Sequence, residues 1–193
     1  MTARTHDVAA ITALALVAAT QPTHTLTLAT ILVALLANQI GGIAPDIDQP
    51  TAPFWRNLPI GKVFGKVFDI LSGGHRFLSH SLLGVALFGL LARLLLQMLQ
   101  PIMLSVDIQI VWWAFMIGVI SHLIMDTLTK EGVPWLLPIP VKFGVPPLKR
   151  FRVTTGKWAE HLVVLPLLIA VDAALLASHY GDLLVFLHHH LAG

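Results

Sequence analysis

Five apolar stretches, each close to the length of a bilayer crossing, constrain this chain more than any other feature. They are residues 7–20, turned by Gln21-Pro22; 24–44, ending at Gly41-Gly42 and Pro45; 77–100, closed by Pro101; 108–128; and 159–178. A helix needs about 20 apolar residues to cross a bilayer. Lipid offers no partner for backbone N–H and C=O groups, so such stretches must satisfy them internally, as helices. A sixth apolar piece, 181–192, is too short to span alone and is expected in the interface. The composition agrees: 56% of residues are hydrophobic and 11% charged, against roughly 45–50% and about 25% in soluble domains. Mean hydropathy is +0.80. The expected fold is all-α: a polytopic membrane helical bundle of about five transmembrane helices plus an interfacial amphipathic helix. One domain over 1–193 is the simplest organisation, since no repeat or low-complexity linker interrupts the chain. Arg4, the first apolar run and Ala18-Ala19 also fit a secretory signal peptide, so cleavage after the first stretch is the rival to its retention.

Basic residues orient the bundle. Five crossings put the N-terminus and two long loops on one side. That side carries Arg4, Arg56, Lys62, Lys66 and Arg76, then Lys130, Lys142, Lys149, Arg150, Arg152 and Lys157. The opposite loops, near 21–24 and 101–107, hold no Lys or Arg, and only Arg93 departs from the pattern. The N-terminus and both long loops are therefore expected to be cytoplasmic.

The long loops differ in character. In 60–71, Ile60, Val63, Phe64, Val67, Phe68 and Leu71 recur at helical spacing, with Lys62, Lys66 and Asp69 on the other face. This predicts a helix lying on the membrane surface. The stretch 132–158 contains Pro134, Pro138, Pro140, Pro146 and Pro147, which predicts an extended, irregular crossing.

Ten histidines stand out in a chain so poor in charge. Cysteine is absent, which excludes disulfides and thiolate zinc sites. A formal charge of +2, without a dense basic patch, argues against nucleic-acid binding. Placed on the expected topology, the polar residues gather at one end. His6 lies just before the first span, and Asp46 and Asp48 just after the second. His75, Arg76, His80 and Ser81 open the third, His122 and Asp126 end the fourth, and Glu160 and His161 begin the fifth. Ionisable groups near hydrocarbon are costly, so each needs a partner or a purpose. His122 and Asp126, four apart, share a helix face, and imidazole plus carboxylate suits zinc, manganese or iron. In an extended segment, Asp46 and Asp48 face the same way. His75 and His80, five apart, diverge by about 140° on an ideal helix, so His75 is expected in the loop and His80 on the helix. His75 is then a ligand from a turn or a group that orients ligands and moves protons.

Each signal has a blander reading. His122 with Asp126 makes an ordinary intramembrane hydrogen bond, Asp46-Ile47-Asp48 an ordinary loop start, and His75 and His80 headgroup contacts. His161 reads as a snorkelling side chain. His24, His179 and His188 to His190 fall on the predicted outer side and are left out of the cluster.

The residues resemble, in this order, the LexA-regulated, membrane-bound metal-dependent hydrolase family (YdjM-like proteins). The matching pieces are Thr5-His6, Ala44-Pro45-Asp46-Ile47-Asp48 and Gly74-His75-Arg76-Phe77-Leu78-Ser79-His80-Ser81. They continue through Ser121-His122-Leu123-Ile124-Met125-Asp126-Thr127-Leu128-Thr129, Gly132-Val133-Pro134 and Glu160 after Gly156. Thr5 stands where the family often has glycine. The family is similar, more distantly, to zinc-dependent phospholipase C enzymes, which is fold-level analogy.

The resemblance implies a bacterial inner-membrane hydrolase with two or three divalent ions, zinc foremost and manganese or magnesium as alternatives, cleaving a phosphoester, with a membrane lipid as candidate substrate. His6, Asp46, Asp48, His80, His122, Asp126 and Glu160 form the ligand pool, with His75 as a further member. Asp48 or His75 would serve as base and Arg76 would neutralise phosphate. Lys149, Arg150 and Arg152 would hold an anionic headgroup or merely obey the positive-inside rule. The rival functions are a transporter or proton pathway using the same His and Asp residues, and a metal-stapled structural protein.

Overall fold

The computed structural model describes residues 1–20, 26–49, 78–139 and 141–191, together with Trp55, Gly61 and Lys66. The described chain is all-helical, with six α-helices: α1 (Ala3–Ala18), α2 (Leu28–Ile43), α3 (Leu82–Leu99), α4 (Ile108–Thr127), α5 (Leu165–Ser178) and α6 (Tyr180–Leu191). Among the described residues, four segments are long and apolar enough to cross a membrane: Leu28–Asp48, Leu82–Ile102, Ile108–Thr127 and Glu160–Ser178. The first expected span is shorter. With 16 residues, α1 is about 24 Å long at 1.5 Å per residue. It also starts earlier than expected, so His6 lies within the helix rather than before it. The amphipathic helix expected over 60–71 lies, apart from Gly61 and Lys66, outside the described residues.

Side-chain caps set three of the helix starts, that of α3 being part of the site described below. Thr27 accepts from the Thr30 N–H to open α2, and Asp107 accepts from the Gln109 and Ile110 N–H groups to open α4. Each satisfies donors that have no partner inside the helix.

The central pair is α2 against α4, and glycine brings their backbones together. A Cβ on Gly41 would stand 2.1 Å from the Phe115 carbonyl oxygen, and one on Gly118 would stand 2.2 Å from that of Asn38. Lipid tails are as apolar as leucine, so close packing and interhelical hydrogen bonds must hold such helices together. The Asn38 side chain supplies one, donating to the Ala114 carbonyl across 3.1 Å. Ala34, Val111 and Ala114 form one buried cluster in this pair. A second cluster, Val119, Leu123 and Val133, packs against Val85, Phe88 and Trp135. A third, Met1, Ala9 and Met125, packs against Val164 and Leu168 and so joins α1, α4 and α5.

Beyond α4 the chain runs as a non-helical strap, as its prolines predict, apart from a 3-10 turn over Lys149–Phe151. Isolated bridges pair Thr129 with Val153 and Val133 with Phe143. The Trp135 carbonyl accepts from the Leu82 N–H at 3.0 Å, tying the strap to the start of α3. The fifth span opens as a π-helical turn, Glu160–Val164.

Candidate metal centre

Four elements bring imidazoles and carboxylates to one end of the bundle. His6 comes from α1, Asp46 and Asp48 from the 3-10 turn Ala44–Asp48, and His122 and Asp126 from α4. His80 lies in the turn that precedes α3, not on the helix as expected, because Ser81 caps α3 by accepting from the Gly84 N–H at 3.1 Å. Glycine is required at position 84: a Cβ there would stand 2.2 Å from the Leu78 carbonyl oxygen, preventing the turn from folding back over the helix.

The two aspartates do not share a direction. At three residues per turn, positions two apart in a 3-10 helix diverge. Asp46 and Asp48 accordingly reach opposite nitrogens of the His80 ring. Asp46 Oδ1 is 3.7 Å from His80 Nε2. On the other edge, Ser79 Oγ donates to Asp48 Oδ2 and lies 2.8 Å from His80 Nδ1. Asp48 Oδ2 itself is 3.8 Å from that nitrogen. The expectation of an extended Asp46-Ile47-Asp48 segment is thus corrected. Asp46 faces the cluster, while Asp48 grips His80 from behind through Ser79.

His122 is oriented from the backbone. Its Nδ1 donates to the Gly42 carbonyl oxygen at 2.6 Å, which leaves Nε2 as the lone-pair nitrogen. Nε2 lies 3.6 Å from Asp46 Oδ1 and 3.8 Å from Asp126 Oδ2. Asp126 Oδ2 is also 3.5 Å from His80 Nε2, and Asp126 Oδ1 is 3.2 Å from His6 Nε2. The His6 and His122 rings stack with centroids 3.7 Å apart. The Met1 amino group donates to Asp126 Oδ1 and lies 2.9 Å from His6 Nε2.

Most of these separations are too long for hydrogen bonds yet suit a shared cation. A tetrahedron with metal–ligand bonds of about 2.0–2.1 Å has edges of about 3.3–3.4 Å. Two triads have one ligand atom per residue within 4.8 Å of one another: His6, His122 and Asp126, and Asp46, His80 and His122. The fit is supported by His122 Nε2, which lies between the Asp46 and Asp126 carboxylates, whereas the Met1 amino group already engages His6 Nε2. His6 Nδ1 and His122 Nε2 are buried without a hydrogen-bond partner among the described residues. Leaving such groups unmet costs about 1–3 kcal/mol each. Burial also pushes the His80 imidazole below its ordinary value, favouring the neutral form a metal requires. The cluster is closed except at Asp46: His80 and Asp126 have no exposure, whereas the Asp46 side chain is 27% exposed.

The other expected site residues that the structure describes lie outside the two triads. Glu160 is buried, but its oxygens face donors rather than imidazoles. Oε1 accepts from the Thr2 N–H, Thr2 Oγ1 and Thr5 Oγ1 at 2.6, 2.7 and 2.6 Å, and Oε2 accepts from the Gly156 N–H at 2.7 Å. The Thr2 and Thr5 hydroxyls therefore tie the start of α1 to the start of the fifth span. The Arg152 guanidinium donates to the Pro146 and Pro147 carbonyls at 2.6 and 2.9 Å, while Lys149 and Arg150 are exposed. His75 and Arg76 lie outside the described residues. Sequence reasoning missed Ser79 and Gly42. Ser79 was detectable only as a neighbour of His80, and Gly42 acts through a backbone carbonyl that carries no side-chain signature.

Fold and site together define a multi-pass helical membrane protein with a buried His/Asp cluster able to hold metal. The chain belongs to the YdjM inner membrane protein family, whose profile matches residues 1–181. It is 33% identical over 109 residues to the inner membrane protein YdjM of Escherichia coli (strain K12), covering 54% of this chain and 48% of that relative. The Shigella flexneri YdjM protein matches to the same extent. The Bacillus subtilis (strain 168) protein YvsG is 32% identical over 132 residues, covering 68% of this chain and 71% of its own. The match thus spans about half the length of the Escherichia coli and Shigella relatives. No solved structure matches.

Proposed function

We propose that this protein is a metal-dependent hydrolase of the inner membrane that cleaves a phosphoester at headgroup depth, with a lipid-linked phosphate as substrate class. One observation carries the reading: His80 Nε2 and His122 Nε2 face Asp46 Oδ1 and Asp126 Oδ2 at 3.5–3.8 Å inside a nearly closed site. In this reading His6, Asp46, His80, His122 and Asp126 hold divalent ions, zinc first and manganese or magnesium as alternatives. A bound divalent ion would supply Lewis-acid stabilisation of phosphate charge and a water of lowered pKa.

The chain's own groups do the rest. Ser79 and Asp48 fix the tautomer and angle of His80, and the Gly42 carbonyl does so for His122. His122 has one lone-pair nitrogen, so it serves one triad at a time, whereas Asp126 can offer one oxygen to each. Asp46, the most exposed member of the cluster, marks the side from which substrate and water approach. Lys149 and Arg150 remain candidates for holding an anionic headgroup; Arg152 is held by the strap.

The topology proposed with this function has α1 as a fifth crossing, with the N-terminus and the His/Asp end cytoplasmic. It rests on the basic residues concentrated in the loops at that end.

The test is metal content and hydrolysis measured on one preparation. Purified protein stripped of chelator should hold at least one equivalent of zinc or manganese and hydrolyse a phosphodiester reporter. Asp126→Asn should abolish both. The complete burial of His80 and Asp126 favours one alternative, a metal staple that holds the helices together. Stoichiometric metal with no hydrolysis of any phosphoester, and unfolding on metal removal, would establish the staple instead.

A further inference from the structure

The strap after α4 exposes large apolar side chains where a connecting loop ordinarily shows polar ones. Ile139 is 56% exposed, Val145 54%, Leu148 56% and Phe151 63%. None of these residues belongs to a candidate membrane span. Contiguous exposed apolar surface on a soluble face marks a contact site.

The display is built rather than loose. Val133 and Phe143 exchange backbone hydrogen bonds at 2.8 and 2.9 Å, and the Val145 N–H donates to the Thr127 carbonyl at 2.9 Å. The Val153 N–H donates to the Leu128 carbonyl at 3.0 Å. The buried Arg152 closes the loop from inside through the Pro146 and Pro147 carbonyls. Val145 and Val153 are thus both pinned to the end of α4, and the apolar residues between and beside them are exposed.

Charge selects the occupant. Between 139 and 158 there is no Asp or Glu, and Lys142, Lys149, Arg150 and Lys157 are exposed. The Arg150 guanidinium lies 4.8 Å from the Phe151 ring centroid, so a cation and an aromatic ring project together. The strap then runs directly into Trp158, 71% exposed, and Leu162, 72% exposed, at the start of the lipid-facing fifth span. Tryptophan favours the interface between hydrocarbon and headgroups, and interfacial segments combine apolar insertion with basic attraction to anionic lipid.

We propose that the strap is a membrane-docking platform. Its apolar side chains enter the leaflet at the His/Asp end, and Lys142, Lys149, Arg150 and Lys157 bind the phosphates of anionic glycerophospholipids there. This holds whether or not the metal cluster is catalytic.

The absence of cysteine makes the test clean. Leu148→Cys and Phe151→Cys, each exposed and so tolerant of change, are labelled with a nitroxide in the full-length protein. The protein is reconstituted in phosphatidylcholine with phosphatidylglycerol, or in phosphatidylcholine alone. Collision with oxygen and with a water-soluble nickel chelate then reports depth, with Leu167→Cys in α5 as the lipid reference. Both strap labels should meet oxygen more than nickel in the anionic vesicles. Adding Lys149→Gln and Arg150→Gln should shift both toward water, as should omitting phosphatidylglycerol. Nickel access dominating at both labels in anionic vesicles would overturn the proposal. Immersion indifferent to phosphatidylglycerol and to both substitutions would overturn the anionic-lipid assignment. Protection seen only in native membranes would overturn lipid as the occupant in favour of a protein partner.

Discussion

His122 turns its Nδ1 to the carbonyl of Gly42, 2.6 Å away, and in doing so aims Nε2 at Asp46 and Asp126. The helix that packs most tightly against α4 thus also sets the tautomer of its histidine. Packing and chemistry are coupled at this point: the close approach that Gly41 and Gly118 allow is what brings the Gly42 carbonyl within reach.

His122→Ala removes the nitrogen common to both triads. Even groups outside a metal's own shell typically change affinity by about 10–100-fold. Zinc binding, measured by competition with a chromophoric chelator, should therefore weaken by more than about 100-fold, while the helical circular dichroism spectrum is retained. Unchanged affinity would remove His122 from the ligand set.

Ser79→Ala severs the link between Asp48 and His80 without touching any group that faces the cluster centre. Zinc affinity should fall by about 10–100-fold. Combining it with Asp48→Asn should cost little more than either alone, since both act on the His80 ring. Independent, additive losses in the double variant would show that Asp48 has a role of its own.

Gly118→Ala places a methyl group 2.2 Å from the Asn38 carbonyl oxygen, a backbone atom that can yield only if α2 moves. Overpacking of this kind costs about 1–3 kcal/mol. The variant should melt at lower temperature in detergent, and Gly156→Ala is not an adequate control, because Gly156 has a positive φ of 71°. Gly181→Ala, in α6 with nothing within 4 Å of the added Cβ, is the better comparison. A melting temperature equal to that of the parent protein would contradict the tight α2–α4 contact.

The metal-free protein should lose stability in acid. Burial lowers the His80 imidazole below its ordinary value of 6.5. Above that pH both folded and unfolded chains carry a neutral ring, and the stabilisation is fully present. As pH falls through 6.5 the unfolded chain takes up a proton that the folded chain resists, so stability declines toward the folded value. Melting curves in chelator between pH 8 and pH 5 should show this fall, and His80→Asn should make it shallower.

The long helices were legible because lipid leaves the backbone no alternative to internal hydrogen bonds, so apolar length alone marks them. Convergence of His122 and Asp126 was legible from helical spacing. The direction of Asp48 was not, because a 3-10 turn and an extended segment differ by backbone angles that Pro45-Asp46-Ile47-Asp48 leaves open. His80 moved from helix to turn because Ser81 caps α3, a start that apolar length alone does not mark. The contacts of Glu160 were equally hidden. A buried carboxylate beside a histidine-rich cluster reads as a ligand from sequence, and the Thr2 and Thr5 hydroxyls that donate to it, distant in sequence, leave no spacing signal.

Those contacts make Glu160 the residue whose two readings separate most sharply. Its carboxylate accepts from Thr2 twice, from Thr5 and from Gly156, all at 2.6–2.7 Å. As a tie, it fixes the first turn of α1 to the start of the fifth span and so sets the position of His6 one residue beyond Thr5. As a ligand, it would have to give up those donors. Glu160→Ala leaves several buried donors unmet, at about 1–3 kcal/mol each, and fails under either reading. Thr5→Val discriminates, because it removes one donor of similar shape and leaves the carboxylate in place. If Glu160 is a tie, Thr5→Val should destabilise the fold by about 0.5–1.5 kcal/mol and weaken zinc binding through a displaced His6. If Glu160 is a ligand, freeing it from Thr5 should leave zinc affinity unchanged or raise it. Chelator competition and thermal melting on the same sample give both readouts.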